Sequence, residues 1–230
     1  EIHWRDWSSD VCSSDLVDSL EVGYKTELLN RTLRLNTAAY LARYKDLVIG
    51  TITTGGLINT NAGESEVKGL EAELTWLATD GFTVYGTLTL MDAKWRSLAA
   101  GALATGVSLS DAPPFTYDFS GTLGASYKTS LSAGSLTFAA SARYIDDYYQ
   151  QVAHQNNPLD RVSARSWIDA SVTFESTDGH HRVALNGKNL GDEKGTYSTL
   201  NFSTFLFNNT AAWLSGEPRM WDLTYTYSFR

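Results

Sequence analysis

The stretch Arg219-Met220-Trp221-Asp222-Leu223-Thr224-Tyr225-Thr226-Tyr227-Ser228-Phe229-Arg230 decides the fold. Trp221, Leu223, Tyr225, Tyr227 and Phe229 share one parity, and Asp222, Thr224, Thr226 and Ser228 the other. A strand here therefore carries one aromatic face and one small polar face. A soluble sheet covers its apolar face with a second layer and favours Val, Ile and Leu on it. Aromatic residues near strand ends, opposite a polar face, instead suit a barrel wall between lipid and a wet lumen.

The same alternation recurs upstream. Tyr117, Phe119, Leu123, Ala125 and Tyr127 oppose Asp118, Ser120, Thr122, Ser126 and Lys128, and Leu136, Phe138, Ala140, Ala142 and Tyr144 oppose Thr137, Ser141 and Arg143. Ile168, Ala170, Val172 and Phe174 oppose Asp169, Ser171, Thr173 and Glu175, and Phe82, Val84, Leu88 and Leu90 oppose Thr83, Tyr85, Thr87 and Thr89. Leu20, Val22, Tyr24 and Leu28 face away from Glu21, Lys25 and Glu27, as Leu70, Ala72, Leu74 and Trp76 do from Glu71, Glu73 and Thr75. Residues 32–48 read as a strand whose faces stay unassigned, because Leu33 and Leu35 follow one parity and Tyr40 and Tyr44 the other. The expected fold is all-β: an antiparallel meander of about nine strands forming part of a transmembrane barrel.

Connection lengths point the same way. Short turns at Leu29-Asn30-Arg31, Thr79-Asp80-Gly81, 131–134 and 177–180 alternate with long connections over Gly50–Glu66, Arg96–Thr116, Tyr149–Ala164 and Gly191–Pro218. Membrane barrels place short turns on the periplasmic side and long loops outside. Soluble sandwiches keep loops short throughout.

Composition narrows the function classes. Hydrophobic residues make up 43% of the chain, yet no apolar run reaches the roughly 18 residues of a membrane-spanning helix. Twelve Tyr and seven Trp stand against two Met, a bias suited to interfacial anchoring. The net charge of −8 excludes nucleic acid as a partner, since phosphate binding needs a basic stripe. The single cysteine, Cys12, leaves no disulfide framework and no Cys-based metal site. No signal peptide precedes the strands, so the N-terminal part of the parent protein is expected to be missing. Residues 1–16, with their near-repeat Ser8-Ser9-Asp10-Val11 and Ser13-Ser14-Asp15-Leu16, read as a non-native or artefactual segment. Residues 17–230 then form the barrel portion.

Several elements resemble the TonB-dependent outer-membrane receptors. They are Leu20-Glu21-Val22-Gly23-Tyr24-Lys25; Asn61-Ala62-Gly63 followed by Val67-Lys68-Gly69-Leu70-Glu71; Pro113-Pro114 before an aromatic strand; Asn189-Leu190-Gly191-Asp192 with Tyr197 soon after; and Pro218-Arg219 before the closing strand. Their order and spacing across residues 18–230 match the family, although the family usually ends on an aromatic and here Arg230 follows Phe229. The resemblance implies the C-terminal part of a plugged, 22-stranded barrel, without plug or TonB box. It also implies a receptor in a Gram-negative outer membrane that engages the TonB complex through the missing N-terminal region. The implied cargo is a ferric siderophore or similar metal chelate, with cobalamin and oligosaccharide left open.

Ligand contacts are expected on the long connections. Tyr149, Gln151 and His154 lie on one, and Tyr197, Phe202, Phe205, Phe207 and Trp213 on another, a mixture suited to stacking and edge hydrogen bonding. Tyr144, Tyr148, Trp221 and Tyr227 read as interfacial girdle residues instead. Asp169, Arg143, Glu175, Lys188 and Asp222 read as ordinary lumen polarity, and His180 and His181 as solvated turn residues rather than metal ligands. No cofactor is expected. Two alternatives remain: a complete small porin-like barrel, and a rim-site enzyme using Asp146 or Asp147 with His154.

Overall fold

The computed structural model describes residues 16–53, 56–150, 161–201 and 211–229. The segment before Leu16 lies outside them. Period-two alternation builds strands, and tight turns return each one antiparallel to the last. These are β1 (Leu16–Leu28), β2 (Leu33–Thr53), β3 (Gly56–Thr79), β4 (Phe82–Leu98), a short helix α1 (Ala100–Ala104), β5 (Phe119–Leu131), β6 (Gly134–Ile145) and β7 (Tyr148–Tyr149). There follow β8 (Arg161–Val162), β9 (Arg165–Ser176), β10 (His181–Lys188), β11 (Thr196–Asn201), β12 (Ala211–Ser215) and β13 (Met220–Tyr227). At the β3–β4 turn Gly81 has φ +79°, and a Cβ there would come within 2.3 Å of the Lys128 carbonyl oxygen, so the turn requires glycine.

Nine strands form one sheet in the order β1-β2-β3-β4-β5-β6-β9-β10-β13, while β7–β8 and β11–β12 pair as separate ribbons. The expected nine-stranded meander is therefore present, with β1 and β13 as its two edges. Among the described residues, no helix is long and apolar enough to cross a membrane.

Register unites the apolar parities into one face. Leu223 lies opposite Leu185, Leu185 opposite Val172, Val172 opposite Phe138, Phe138 opposite Tyr127 and Tyr127 opposite Phe82. It also assigns β2. Leu33 pairs with Trp76 and Leu35 with Leu74, placing them on the apolar face, whereas Tyr40 faces Gly69 on the polar one. No second layer covers the apolar face: Leu123 is 61% exposed and Leu223 72%. Exposed apolar area on this scale needs a nonaqueous neighbour.

Among the described residues, a packed core forms at the long-connection end, where Ile49, Ala62, Trp95, Ala102 and Val107 cluster with Leu47 and Leu98 against them. The Asn61-Ala62-Gly63 element builds its floor. The Asn61 Nδ2 donates to Asp46 Oδ1 at 2.8 Å, its Oδ1 accepts the Gly63 N–H at 2.7 Å, and Ala62 is fully buried. Gly63 has φ +108°, and a Cβ there would come within 2.4 Å of the Ser97 carbonyl oxygen.

Three long connections differ from expectation. Gly50–Glu66 is no loop: β2 and β3 continue through it in register to the pair Thr53 and Gly56, beyond bulges around residues 44–48. Its Gly, Thr and Asn content resembles a turn, but cross-strand pairing prevails over that local preference. The other two, Tyr149–Ala164 and Gly191–Pro218, contain the β7–β8 and β11–β12 ribbons.

Candidate functional site

The long-connection end of the polar face gathers an aromatic and cationic cluster. β6 and β9 pair so that Arg143 lies opposite Trp167 and Ile145 opposite Arg165. The Arg143 guanidinium sits 4.5 Å from the Trp167 ring centroid, and that of Arg165 lies 5.3 Å from Trp167 and 5.7 Å from Tyr148. Arg165 also donates to the Tyr148 hydroxyl at 3.3 Å. Phe115 and Tyr117 approach Tyr148 with ring centroids 6.3 and 6.5 Å away, and the Phe115 N–H donates to the Tyr149 carbonyl at 2.7 Å. Such a cluster offers flat faces and fixed cations together.

Below it, a recess of about 470 Å³ opens on the polar face among Tyr85, Ser141, Asp169, Asn186, Lys188 and Asp222. Small residues on the middle strands create it, since Ala139, Ser141 and Ser171 leave space that a larger side chain would fill. Asn186 Nδ2 donates to Asp222 Oδ1 at 2.7 Å.

Asn189 explains why the Asn-Leu-Gly-Asp element stands where it does. It is buried, with φ +48°, and its N–H donates to Asp169 Oδ1 at 2.8 Å. Its Nδ2 donates to the carbonyls of Glu193 and Glu217, both at 2.9 Å, and its Oδ1 accepts the Glu193 N–H at 2.8 Å. One side chain thus ties both ends of the β11–β12 excursion to the wall. Beside it, the Arg219 N–H and then the Lys194 ammonium hold the Asp192 carboxyl below the usual carboxylate range.

The residues singled out from sequence fare unevenly. Gln151, His154, Phe202, Phe205 and Phe207 lie outside the described residues. Tyr197 falls on β11 and Trp213 on β12, where Trp213 is opposite Thr199. Tyr149 pairs with Arg161 across β7–β8, while its neighbour Tyr148 enters the cluster. Tyr148 is therefore no girdle residue: its hydroxyl is held by Arg165, which shares the polar face with Arg143 and Trp167. Tyr144 and Trp221 do lie on the apolar face, with Phe119 5.6 Å from Tyr144. Sequence reading missed Arg165, Trp167 and Phe115 as site residues. Their only signal was the polar parity of Arg165 and Trp167, and the juxtaposition needs the β6–β9 register.

The two aspartates suggested for catalysis are engaged elsewhere, while His154 lies outside the described residues. Asp146 accepts from the Tyr144 hydroxyl at 3.1 Å, and Asp147 is bound by Arg161 at 2.7 Å. The Arg161 hydrogen bond is the main cause of a lowered Asp147 pKa. His180 and His181 pack against the closing strand, with His180 Nδ1 2.8 Å from the Ser228 carbonyl and His181 Nδ1 2.9 Å from the Tyr225 hydroxyl. Among the described residues, no group of three or more His, Cys, Asp or Glu is placed to hold a metal ion.

The chain is 26% identical over 181 residues to the Bordetella pertussis protein named Probable TonB-dependent receptor BfrD, a match covering 76% of this chain and 23% of that one. Its fold is similar to the ferric yersiniabactin uptake receptor FyuA from Yersinia pestis, with TM-score 0.73 and 15% identity over 93% of this chain and 30% of that one. It is also similar to the ferric-catecholate import receptor Fiu from E. coli in its closed form, with TM-score 0.72 and 21% identity over 98% of this chain and 30% of that one. The chain thus spans under a third of the length of each of these relatives. The sequence profile of the TonB dependent receptor-like β-barrel matches residues 16–190, well over half of the chain, and the chain belongs to that family.

Proposed function

We propose that this chain is the wall and part of the extracellular rim of an outer-membrane receptor for TonB-dependent uptake of a scarce nutrient. Its cargo is a ferric siderophore or similar metal chelate. The observation that carries the reading is the convergence of Arg143, Arg165, Trp167 and Tyr148 on the lumen face, at the end bearing the long connections. Chelates that hold a hard cation do so through oxygen donors, many of them anionic, which guanidinium groups and aromatic faces complement. The ferric cargoes of FyuA and Fiu fit the same chemistry. The partners in this reading are outer-membrane lipid of a Gram-negative bacterium, the cargo, and a TonB complex engaged through N-terminal residues outside this chain. The residues 1–16 are then a segment foreign to the barrel, although β1 already starts at Leu16.

The test is cargo binding by the full-length receptor across ferric chelates, cobalamin and oligosaccharides. Replacing Phe205, Phe207 and Trp213 with Ala, or Arg143 and Arg165 with Ala, is expected to weaken chelate binding by about tenfold or more while assembly stays normal. Assembly is followed by heat-modifiable gel mobility. Binding of only cobalamin or sugar by the wild type would move the cargo class, and undiminished chelate affinity in both variants would overturn the site.

A further inference from the structure

Carried upward past the apolar band, the register places a block of charge on the outward face of β1–β4. Leu41 lies opposite Leu20 and Lys68, and Leu70 lies opposite Leu90, all on the apolar parity. Two residues further along β2–β4 the same parity carries Arg43, Lys68 and Asp92, and four further Lys45, Glu66 and Lys94, with Asp18 opposite Arg43. Arg96, displaced by the bulge opposite Ser65, joins them. On a chain of net charge −8, five of its eighteen Lys and Arg residues thus stand together outside the wall.

The centre of the block is a built array. Glu66 is buried, and its carboxylate binds Arg96 closely, Arg43 at 3.1 Å and Lys94 at 4.0 Å. Three cations around one carboxylate leave a local excess of two positive charges, and the outer sides of Arg43, Lys94 and Arg96 are open. The flanks carry one surplus negative charge, with Lys45 bound to Asp18 at 2.8 Å and also near Glu64, and Lys68 bound to Asp92 at 2.9 Å, so the positive excess is confined to the Glu66 array. Where β5 begins only at Phe119, a recess of about 580 Å³ opens at the sheet between Lys68, Leu70, Leu90 and Asp92 of the outward parity and Tyr40, Met91 and Asp118 of the lumen parity. Its two aspartates disfavour a phosphate there, so the Glu66 array is the anion-facing part.

Height decides what the array meets. With a strand rise of about 3.4 Å and a tilt of about 40°, Lys68 stands about 5 Å and Glu66 about 10 Å above Leu70. The headgroup layer of one leaflet is roughly 5–8 Å thick above the hydrocarbon. Long Arg and Lys side chains span the difference.

We propose that Arg43, Lys94 and Arg96, organised by the buried Glu66, bind phosphorylated headgroups of anionic lipid in the outer leaflet. This rests on the outer-membrane reading above. Fixed guanidinium and ammonium groups suit phosphate oxygens, and the apolar wall immediately below accepts the acyl chains of the same molecule. A free phosphate would gain nothing from that wall.

The experiment uses native mass spectrometry of the full-length receptor in detergent, titrated with lipid A, with phosphatidylcholine, and with inorganic diphosphate. Wild type is expected to retain lipid A over phosphatidylcholine, and the triple change Arg43→Gln, Lys94→Gln and Arg96→Gln to weaken that retention about tenfold or more. Lys94→Gln and Arg96→Gln alone should each give a smaller loss, which keeps the test valid if the triple variant assembles poorly. Lys25→Gln with Arg34→Gln and Arg182→Gln removes three charges from the lumen face and should leave retention unchanged. Equal retention of both lipids by a folded barrel, an equal loss in the lumen variant, or displacement of lipid A by an equimolar amount of diphosphate would overturn the proposal alone. A wild type that yields no heat-modifiable barrel would overturn the membrane reading together with it.

Discussion

The Tyr85 ring lies over Gly124, its partner across β4 and β5, so closely that a Cβ at Gly124 would come within 2.3 Å of it. Tyr40 covers Gly69 in the same way across β2 and β3, with 2.6 Å to a Cβ there. Both pairs sit on the lumen face, where each ring shields backbone that glycine leaves bare. The two differ in what else crowds the glycine. At Gly69 the Leu90 carbonyl oxygen would also lie 2.6 Å away, whereas the three atoms nearest a Cβ at Gly124 would all belong to Tyr85. Gly69→Ala is therefore expected to destabilise the barrel by about 1–3 kcal/mol even when Tyr40→Ala is added. The cost of Gly124→Ala should largely vanish in combination with Tyr85→Ala. Urea midpoints of the full-length barrel folded into vesicles test this, and full rescue of Gly69→Ala by Tyr40→Ala would refute the backbone clash.

Face assignment makes a second prediction. Leu123→Arg or Val172→Arg should cost about 2–4 kcal/mol if the position lies near the bilayer midplane. Thr122→Arg or Thr173→Arg, on the lumen parity, should cost clearly less. Folding yield and urea midpoint in lipid vesicles report the difference; equal losses on both parities would show the faces to be misassigned.

Asn189→Ala is expected to free both ends of the β11–β12 excursion while sparing the wall. The lost bonds leave the carbonyls of Glu193 and Glu217 without that donor, a local cost of about 0.5–1.5 kcal/mol for each bond. Asn189→Asp should behave similarly, because a carboxylate cannot donate to them. Limited proteolysis between Gly191 and Pro218 should quicken in both variants with unchanged heat-modifiable mobility. Unaltered cleavage would mean that the excursion is held elsewhere.

The Asp147–Arg161 pair predicts a pH dependence for the β7–β8 ribbon. The folded state lowers the Asp147 pKa, so its stabilisation is fully present above the unfolded-state value and is lost as pH falls through the folded-state value. With Arg161 half exposed, the contribution is at most about 1 kcal/mol. Amide exchange at Tyr148 and Tyr149, corrected for intrinsic rates, should be slower in wild type than in Asp147→Asn at neutral pH. The two should converge in acid, and a gap that persists in acid would sink the idea.

Strand identity and face were legible wherever alternation was local, as in Phe82–Leu90 or Met220–Tyr227, because period two needs only neighbouring residues. The faces of β2 were not, since its apolar and aromatic residues compete and only pairing with β3 decides between them. Gly50–Glu66 misled for a related reason: its small polar residues satisfy turn statistics, yet long-range hydrogen bonding makes them a hairpin. The mouth cluster was the least legible. Arg143 and Trp167 are far apart in the chain and meet only through the β6–β9 register, and Tyr148 reaches Arg165 from the separate β7–β8 ribbon.

Asn189 also bears on how such a receptor can change over generations. It holds Glu193 and Glu217 side by side, and just beyond them the Gly216 N–H donates to the Gly195 carbonyl at 3.0 Å. Whatever lies between those two points leaves and rejoins the wall at one anchored spot. The segment is thus an exchangeable cassette: mutation can lengthen, shorten or rewrite it without disturbing the register of β10 and β13. Sequence change can accumulate there while the barrel stays under its older constraints.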